Sequence, residues 1–315
     1  MLKMAGLDGL FATIGTLYWL LMLGAIVLAL VKGETWPNKL GGVALALCVF
    51  IGPLVPSIQR ASEHRERLAK AQLMFAERCK IAGEKIHKTV EGVEGIYLMK
   101  IRTTTNFDNQ FELSDPYGDD STNDGYILSF LRGYHHQRNV PLVVGSPPRT
   151  GYSYVEAIDP KDGQRYRYTG GIKVVRQKDT SSPYVKAELE RNPNYDLNIR
   201  EFVLDRVPAS GALPRYGVTY DDISTREERE YWIAGSSLKV IDLQTNEVIA
   251  ERIGYMVDWA QGSRAGFRSP WLYAADNACP GFQWNPRFPV HQGHGAGEQG
   301  SQTLIFVEKV LKPIK

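Results

Sequence analysis

From Leu10 to Val31 the chain runs for 22 residues without a charged side chain. As a helix that stretch is about 33 Å long, the thickness of a bilayer's hydrocarbon core. A second uncharged run extends from Leu40 to Gln59, between Lys39 and Arg60. It carries Gly41, Gly42, Pro53 and Pro56, with the two prolines near its end, where a kink is tolerated. The loop between the runs, Lys32 to Lys39, is short and polar and holds Trp36, a residue suited to a membrane interface. The pair therefore reads as a transmembrane helical hairpin over residues 1–60, with residues 10–31 and 40–59 in contact with lipid. The first run is too long for the core of a signal peptide, which is typically about 7–15 residues. Two such runs split by a tight polar loop also argue against buried helices of a soluble protein.

A hairpin puts both of its ends on one side of the membrane. That side carries Lys3, Arg60, Arg65, Arg67 and Lys70, and the loop carries Lys32 and Lys39. Cytoplasmic segments are enriched in Lys and Arg, so this bias puts the remainder of the chain in the cytoplasm. The cysteines bear on the same question. Cys48 lies in the second apolar run, and Cys79 and Cys279 lie beyond it. In an oxidising compartment the latter two can form one disulfide; in the cytosol they stay reduced. No Cys-x-x-Cys is present, which removes zinc ribbons and thioredoxin-type sites.

Beyond the hairpin, residues 61–85 read as a juxtamembrane helix. Leu68, Ala71, Gln72, Phe75, Ala76 and Cys79 recur at helical spacing among charged neighbours. Residues 86–315 form an α+β domain with an antiparallel sheet. Strands are expected at Gly95–Ile101, at Tyr152–Ile158 and Gln164–Tyr168 around an Asp-Pro-Lys-Asp-Gly turn, and at Ser237–Asp242 and Glu247–Ile253. Thr225-Arg-Glu-Glu228 has the pattern of a capping box, which opens a helix. Thr303–Val310 is a last strand or short helix, and Gly262–Gly300, rich in Gly, Pro, Asn and Gln, reads as long loops. With 37 basic and 35 acidic side chains the net charge is +2, which leaves no basic footprint for nucleic acid.

Five motifs suggest chemistry, and each lacks part of what the chemistry needs. Gly295–Gly300 matches G-x-G-x-x-G, but no strand precedes it and no helix follows to aim amides at a pyrophosphate. Asp120, Thr122, Asp124 and Gly125 resemble the start of a calcium loop, whose twelfth position would be Leu131 instead of a bidentate Glu. His291 and His294 follow Cys279 without a fourth zinc ligand. The adjacent His135 and His136 would point apart in an extended strand. Asp221-Asp222 and Glu227-Glu228 are paired carboxylates that also suit a helix start. No cofactor, metal or catalytic residue is assigned on these grounds.

Several segments together carry a resemblance: Ala76–Ile86, Asp115–Asp120, Arg215–Ser224, Tyr231–Ser236, Arg268–Trp271, Asn277–Pro280 and Phe306–Val310. They resemble a family of uncharacterised proteobacterial membrane proteins with short N-terminal spans, loosely associated with secretion-system effector and immunity loci. The resemblance implies no activity and no site residue. The functional expectation is a membrane-anchored, non-enzymatic binding protein that recognises a protein partner, such as an immunity protein that neutralises a secreted toxin. Trp259, Trp271 and Trp284 are the expected interface anchors, because Trp, Tyr and Arg dominate binding hot spots. The alternative is a membrane-tethered hydrolase assembled from separated residues such as Asp221, Asp222 and His291.

Overall fold

The computed structural model describes residues 7–103, 109–111, 121–133, 144, 151–282 and 302–314. The chain divides into two compact units, Met1–Ala69 and Lys70–Lys315.

The first unit is helical. Helix α1 spans Leu7–Lys32 and α2 spans Trp36–Ile51. The loop turns tightly because Pro37 occupies the first turn of α2, where a missing N–H costs nothing. The two helices pack closely where small residues meet: a Cβ on Gly42 would lie 2.8 Å from the Cβ of Ala29. Tyr18 closes the pair, edge-on to Phe50 and donating to its carbonyl. Helix α1 and the helical stretch Trp36–Ile81 that begins with α2 are each long and apolar enough to cross a membrane, and their apolar windows are only 0 % and 6 % buried. So little cover is unlike the core helices of a soluble protein and fits side chains that face lipid.

The second apolar run is not followed by a break. One 3-10 turn at Gly52–Leu54 joins α2 to α3, Val55–Ile81, so the expected juxtamembrane helix starts well before Ser62. The prolines allow this because Pro53 sits in the 3-10 turn and Pro56 in the first turn of α3. The division between units falls inside α3.

The second unit is α+β. After α3 come β1 (Gly83–Ile86), β2 (Val90–Val93), β3 (Gly95–Leu98), α4 (Asp124–Arg132), β4 (Tyr154–Ile158) and β5 (Arg165–Gln177). Then follow α5 (Pro183–Arg191), β6 (Asn198–Pro208), β7 (Tyr216–Asp222), α6 (Arg226–Glu230), β8 (Ile233–Asp242) and β9 (Glu247–Val257). The last elements are α7 (Pro270–Ala274), β10 (Ala278–Cys279), α8 (Gln302–Val310) and β11 (Leu311–Pro313). The main sheet has the order β1-β9-β8-β7-β3-β4-β5-β6, with β10 also on β9.

The sheet is mixed, where the sequence suggested an antiparallel one. Strand β3 runs parallel to both β4 and β7. Parallel neighbours need a crossover, and the segment from β3 to β4 supplies one that includes α4. Tyr126, Ile127, Phe130 and Leu131 turn the buried face of α4 onto the sheet. Helix α8 lies in the same core through Leu304, Phe306, Val307 and Val310, opposite Ile96, Val155, Val218 and Leu238. Thr303–Val310 is therefore helical, and its tail Leu311–Pro313 pairs in parallel with β2. The carbonyl of Leu311 accepts from the buried Tyr152 hydroxyl at 2.6 Å.

Two local signals read from sequence have their full geometry. The Thr225 hydroxyl accepts from Glu228 N–H at 3.2 Å, and the Glu228 carboxylate accepts from Thr225 N–H at 2.6 Å, a complete capping box. The β8–β9 hairpin closes around Asp242 and Glu247, with Asn246 in a left-handed conformation. The second half of α3 is held on the sheet by Ala71 and Phe75, by an Arg78–Glu228 ion pair, and by a Cys79–Cys279 disulfide with Cα atoms 5.5 Å apart.

Candidate interaction surfaces

The segment after β9 is built around one buried carboxylate. Asp258 is 1 % exposed. Its Oδ1 accepts from Ala260 N–H at 3.1 Å and from Arg268 Nη2 at 2.6 Å. Its Oδ2 accepts from Gly262 N–H and Arg268 Nη1, both at 2.9 Å. Arg268 Nη1 also donates to Ser263 C=O at 2.7 Å, so one carboxylate and one guanidinium fold residues 258–268 into a fixed loop. The bond to Asp258 raises the Arg268 pKa further, which keeps the guanidinium charged. At the apex Phe267 takes a positive φ of 61° and is fully exposed, at 106 % of its reference area. Next to it the Arg268 guanidinium stacks 4.8 Å from the ring centroid of Tyr273, which is 48 % exposed.

Of the tryptophans expected as anchors, Trp271 and Trp259 are described. Trp271 has no exposed area; its ring sits 5.1 Å from Trp232, and its Nε1 donates to Asn109 C=O at 3.1 Å. Helix α7 turns Pro270, Trp271 and Ala274 inward. Trp259 is partly buried and packs edge-on against Phe75 of α3 at 5.6 Å. Trp284 lies outside the described residues, as do His135, His136, Asp115–Asp120, His291, His294 and Gly295–Gly300. The exposed aromatic residues of this region, Phe267 and Tyr273, carried no sequence signal beyond a Gly-rich loop around Trp271.

A second surface is the ribbon formed by β5 and β6. Strand β4 pairs with β5 only over Arg165–Tyr168. From Thr169 to Gln177, β5 is paired with β6 alone among the described residues. At about 3.3 Å per residue this two-stranded arm extends for about 30 Å past its neighbour. Its core is small: Ile172 and Val185 are buried, and the Phe202 ring lies against Gly170, where a Cβ would meet it at 2.5 Å. Val174, Val175 and Tyr184 are exposed on it, and Val207 is exposed at its root, opposite Arg167. At its root an open groove of about 260 Å³ is lined by Asp124, Lys161, Tyr168, Leu204, Asp205 and Arg206. There Arg206 bonds the Tyr168 hydroxyl and the Asp159 carboxylate, so the charged groups are largely paired with one another.

The carboxylates considered for catalysis are likewise paired. Asp221 bonds Lys100, and Asp222 bonds the buried Arg229. Burial lowers the Arg229 pKa, partly offset by Asp222. In the Asp-rich segment, the Thr122 carbonyl accepts from Gly125 N–H at 2.9 Å and starts α4, which puts Thr122 and Asp124 in a helix start. Among the described residues no group of three or more His, Cys, Asp or Glu is arranged to hold a metal ion. No family model, curated protein or solved structure matches the chain.

Proposed function

We propose that the chain is a membrane-anchored binding protein of the bacterial inner membrane, and that the β5–β6 arm is its recognition element. The arm carries this reading. A two-stranded ribbon is marginally stable alone, and exposed strand edges with apolar side chains are a template for added strands. A partner that pairs with the arm would cover both liabilities, as in other cases of strand addition. The Cys79–Cys279 bond supports a periplasmic domain, since cytosolic glutathione keeps thiols reduced. That is the opposite side from the one favoured by the five-to-two charge bias. A domain anchored there would meet incoming envelope toxins, which is the form the immunity reading takes.

The test is affinity capture of the full chain from detergent extract, with a Val174→Asp/Val175→Asp variant beside it. The expected result is a stoichiometric protein complex that the variant loses while its melting temperature is unchanged. A complex indifferent to the two substitutions would refute the arm's role. Turnover of a hydrolase substrate by the full chain, lost in Asp222→Ala, would refute the binding class and favour the tethered enzyme.

A further inference from the structure

The loop that displays Phe267 lies at the end of the second unit where the chain enters it. Lys70, the first residue of that unit, donates to Glu227 at 2.8 Å and lies 4.9 Å from the Tyr231 ring centroid. The Tyr231 carbonyl accepts from Gln261 Nε2 of the loop at 2.9 Å. Phe75, further along the same helix, packs on Trp259 at the start of the loop. The turn between β8 and β9, around Thr245, is at the other end of those strands, since Ile233 pairs with Val257 and Asp242 with Glu247.

The same end carries aromatic rings paired with cations. Lys70 lies over Tyr231 and Arg268 over Tyr273. Arg226 lies 4.8 Å from the centroid of Phe111, itself 41 % exposed. Phe267 projects beyond any of them, on a backbone fixed by Asp258 and Arg268. Aromatic rings accompanied by Lys and Arg are the composition of the membrane interface, where the ring enters the acyl boundary and the cation meets phosphate. Chain length supplies the remaining argument. The apolar run ends at Gln59, and residues 60–69 reach no further than about 36 Å even when fully extended.

From the exposed loop, its aromatic–cation surroundings and the short tether, we infer that residues 263–273 form a second membrane contact, in which Phe267 enters the phospholipid headgroup layer. This rests on the reading of α1 and α2 as membrane spans. It is separate from the partner-binding arm.

The full chain with Cys48→Ser in phosphatidylcholine nanodiscs provides the test, because Cys79 and Cys279 are joined and do not react with a thiol probe. A single cysteine is placed at Phe267, at Ala265, at Thr245 or at Leu20 of α1 and labelled with an environment-sensitive fluorophore. Ala265→Cys keeps Phe267 in place and covers the case in which Phe267→Cys disturbs the loop. The expected result is loss of fluorescence to lipid-attached doxyl groups at Leu20, Ala265 and Phe267, with Thr245 quenched only by aqueous iodide. Doxyl quenching at Leu20 with iodide quenching at both loop positions would overturn the inference alone, and is what a loop reserved for a protein partner would give. Iodide quenching at Leu20 as well would overturn the membrane reading beneath it.

Discussion

Replacing Cys279 by Ser removes a crosslink between residues 200 positions apart in sequence. In the chain-entropy model a closed loop of that size restricts the unfolded ensemble by about 5 kcal/mol at 25 °C. The bond also fastens the two-residue strand β10 to α3, whose other holds on the domain include Ala71, Met74, Phe75 and the Lys70–Glu227 and Arg78–Glu228 pairs. Urea unfolding of the full chain in detergent, followed by tryptophan fluorescence, reads the effect. With a slope of about 3 kcal/mol per molar, the midpoint should fall by about 1.7 M. Cys79→Ser and the double variant should fall by the same amount, because all three remove one bond, and reduced wild type should coincide with them. Amide exchange should rise over Lys70–Ile81 before it rises in β8 and β9. If oxidised and reduced wild type share one midpoint, the crosslink contributes nothing and the entropic reasoning fails.

Two further outcomes follow from packing and charge. Phe130 is fully buried between α4 and the sheet, so Phe130→Ala should cost about 4 kcal/mol, read by calorimetry as a fall of about 10 °C in melting temperature. The Asp242 carboxyl is held below its ordinary pKa, first by its bonds from Arg215 at 2.8 and 3.0 Å and then by Gln244 N–H. The folded state therefore binds this proton less readily than the unfolded chain. Its contribution is complete above the unfolded carboxylate pKa of about 4 and is lost as pH falls through the lowered value. A melting-temperature profile against pH should thus have a shallower acid limb in Asp242→Asn than in wild type, and identical limbs would refute the assignment.

What the sequence discloses about this fold is what depends on neighbouring residues. The helical hairpin, the Thr225–Glu228 capping box and the β8–β9 hairpin are each decided within a dozen residues, and each is present. Thr303–Val310 was ambiguous because a short apolar run buried on nearly every side has no period; its helix is fixed by the core around it. The parallel placement of β3 was not readable, since it depends on a crossover of more than fifty residues between β3 and β4. The Asp258 loop was hidden for a similar reason. Its Gly and Ser composition reads as slack chain, whereas one carboxylate that collects two amides and a guanidinium makes it rigid. Residue type alone does not disclose that α7 buries the Trp271 ring and leaves Tyr273 outside.

The pairing of β11 with β2 sets an order of events during synthesis. Val90 waits for Leu311, a partner 311 − 90 = 221 residues later. At roughly 5–20 residues per second that wait is about 10–45 s. Helix α8, which supplies much of the core opposite β3 and β7, arrives in the same interval. Helices α1 and α2 precede the domain in the chain, so they leave the ribosome long before its sheet has a complete hydrophobic face. During that time the strands that α8 will cover are unprotected beside other nascent chains. A ribosome stalled before Gln302 would hold a domain without its central helix, the state in which chaperones and proteases have most access to it.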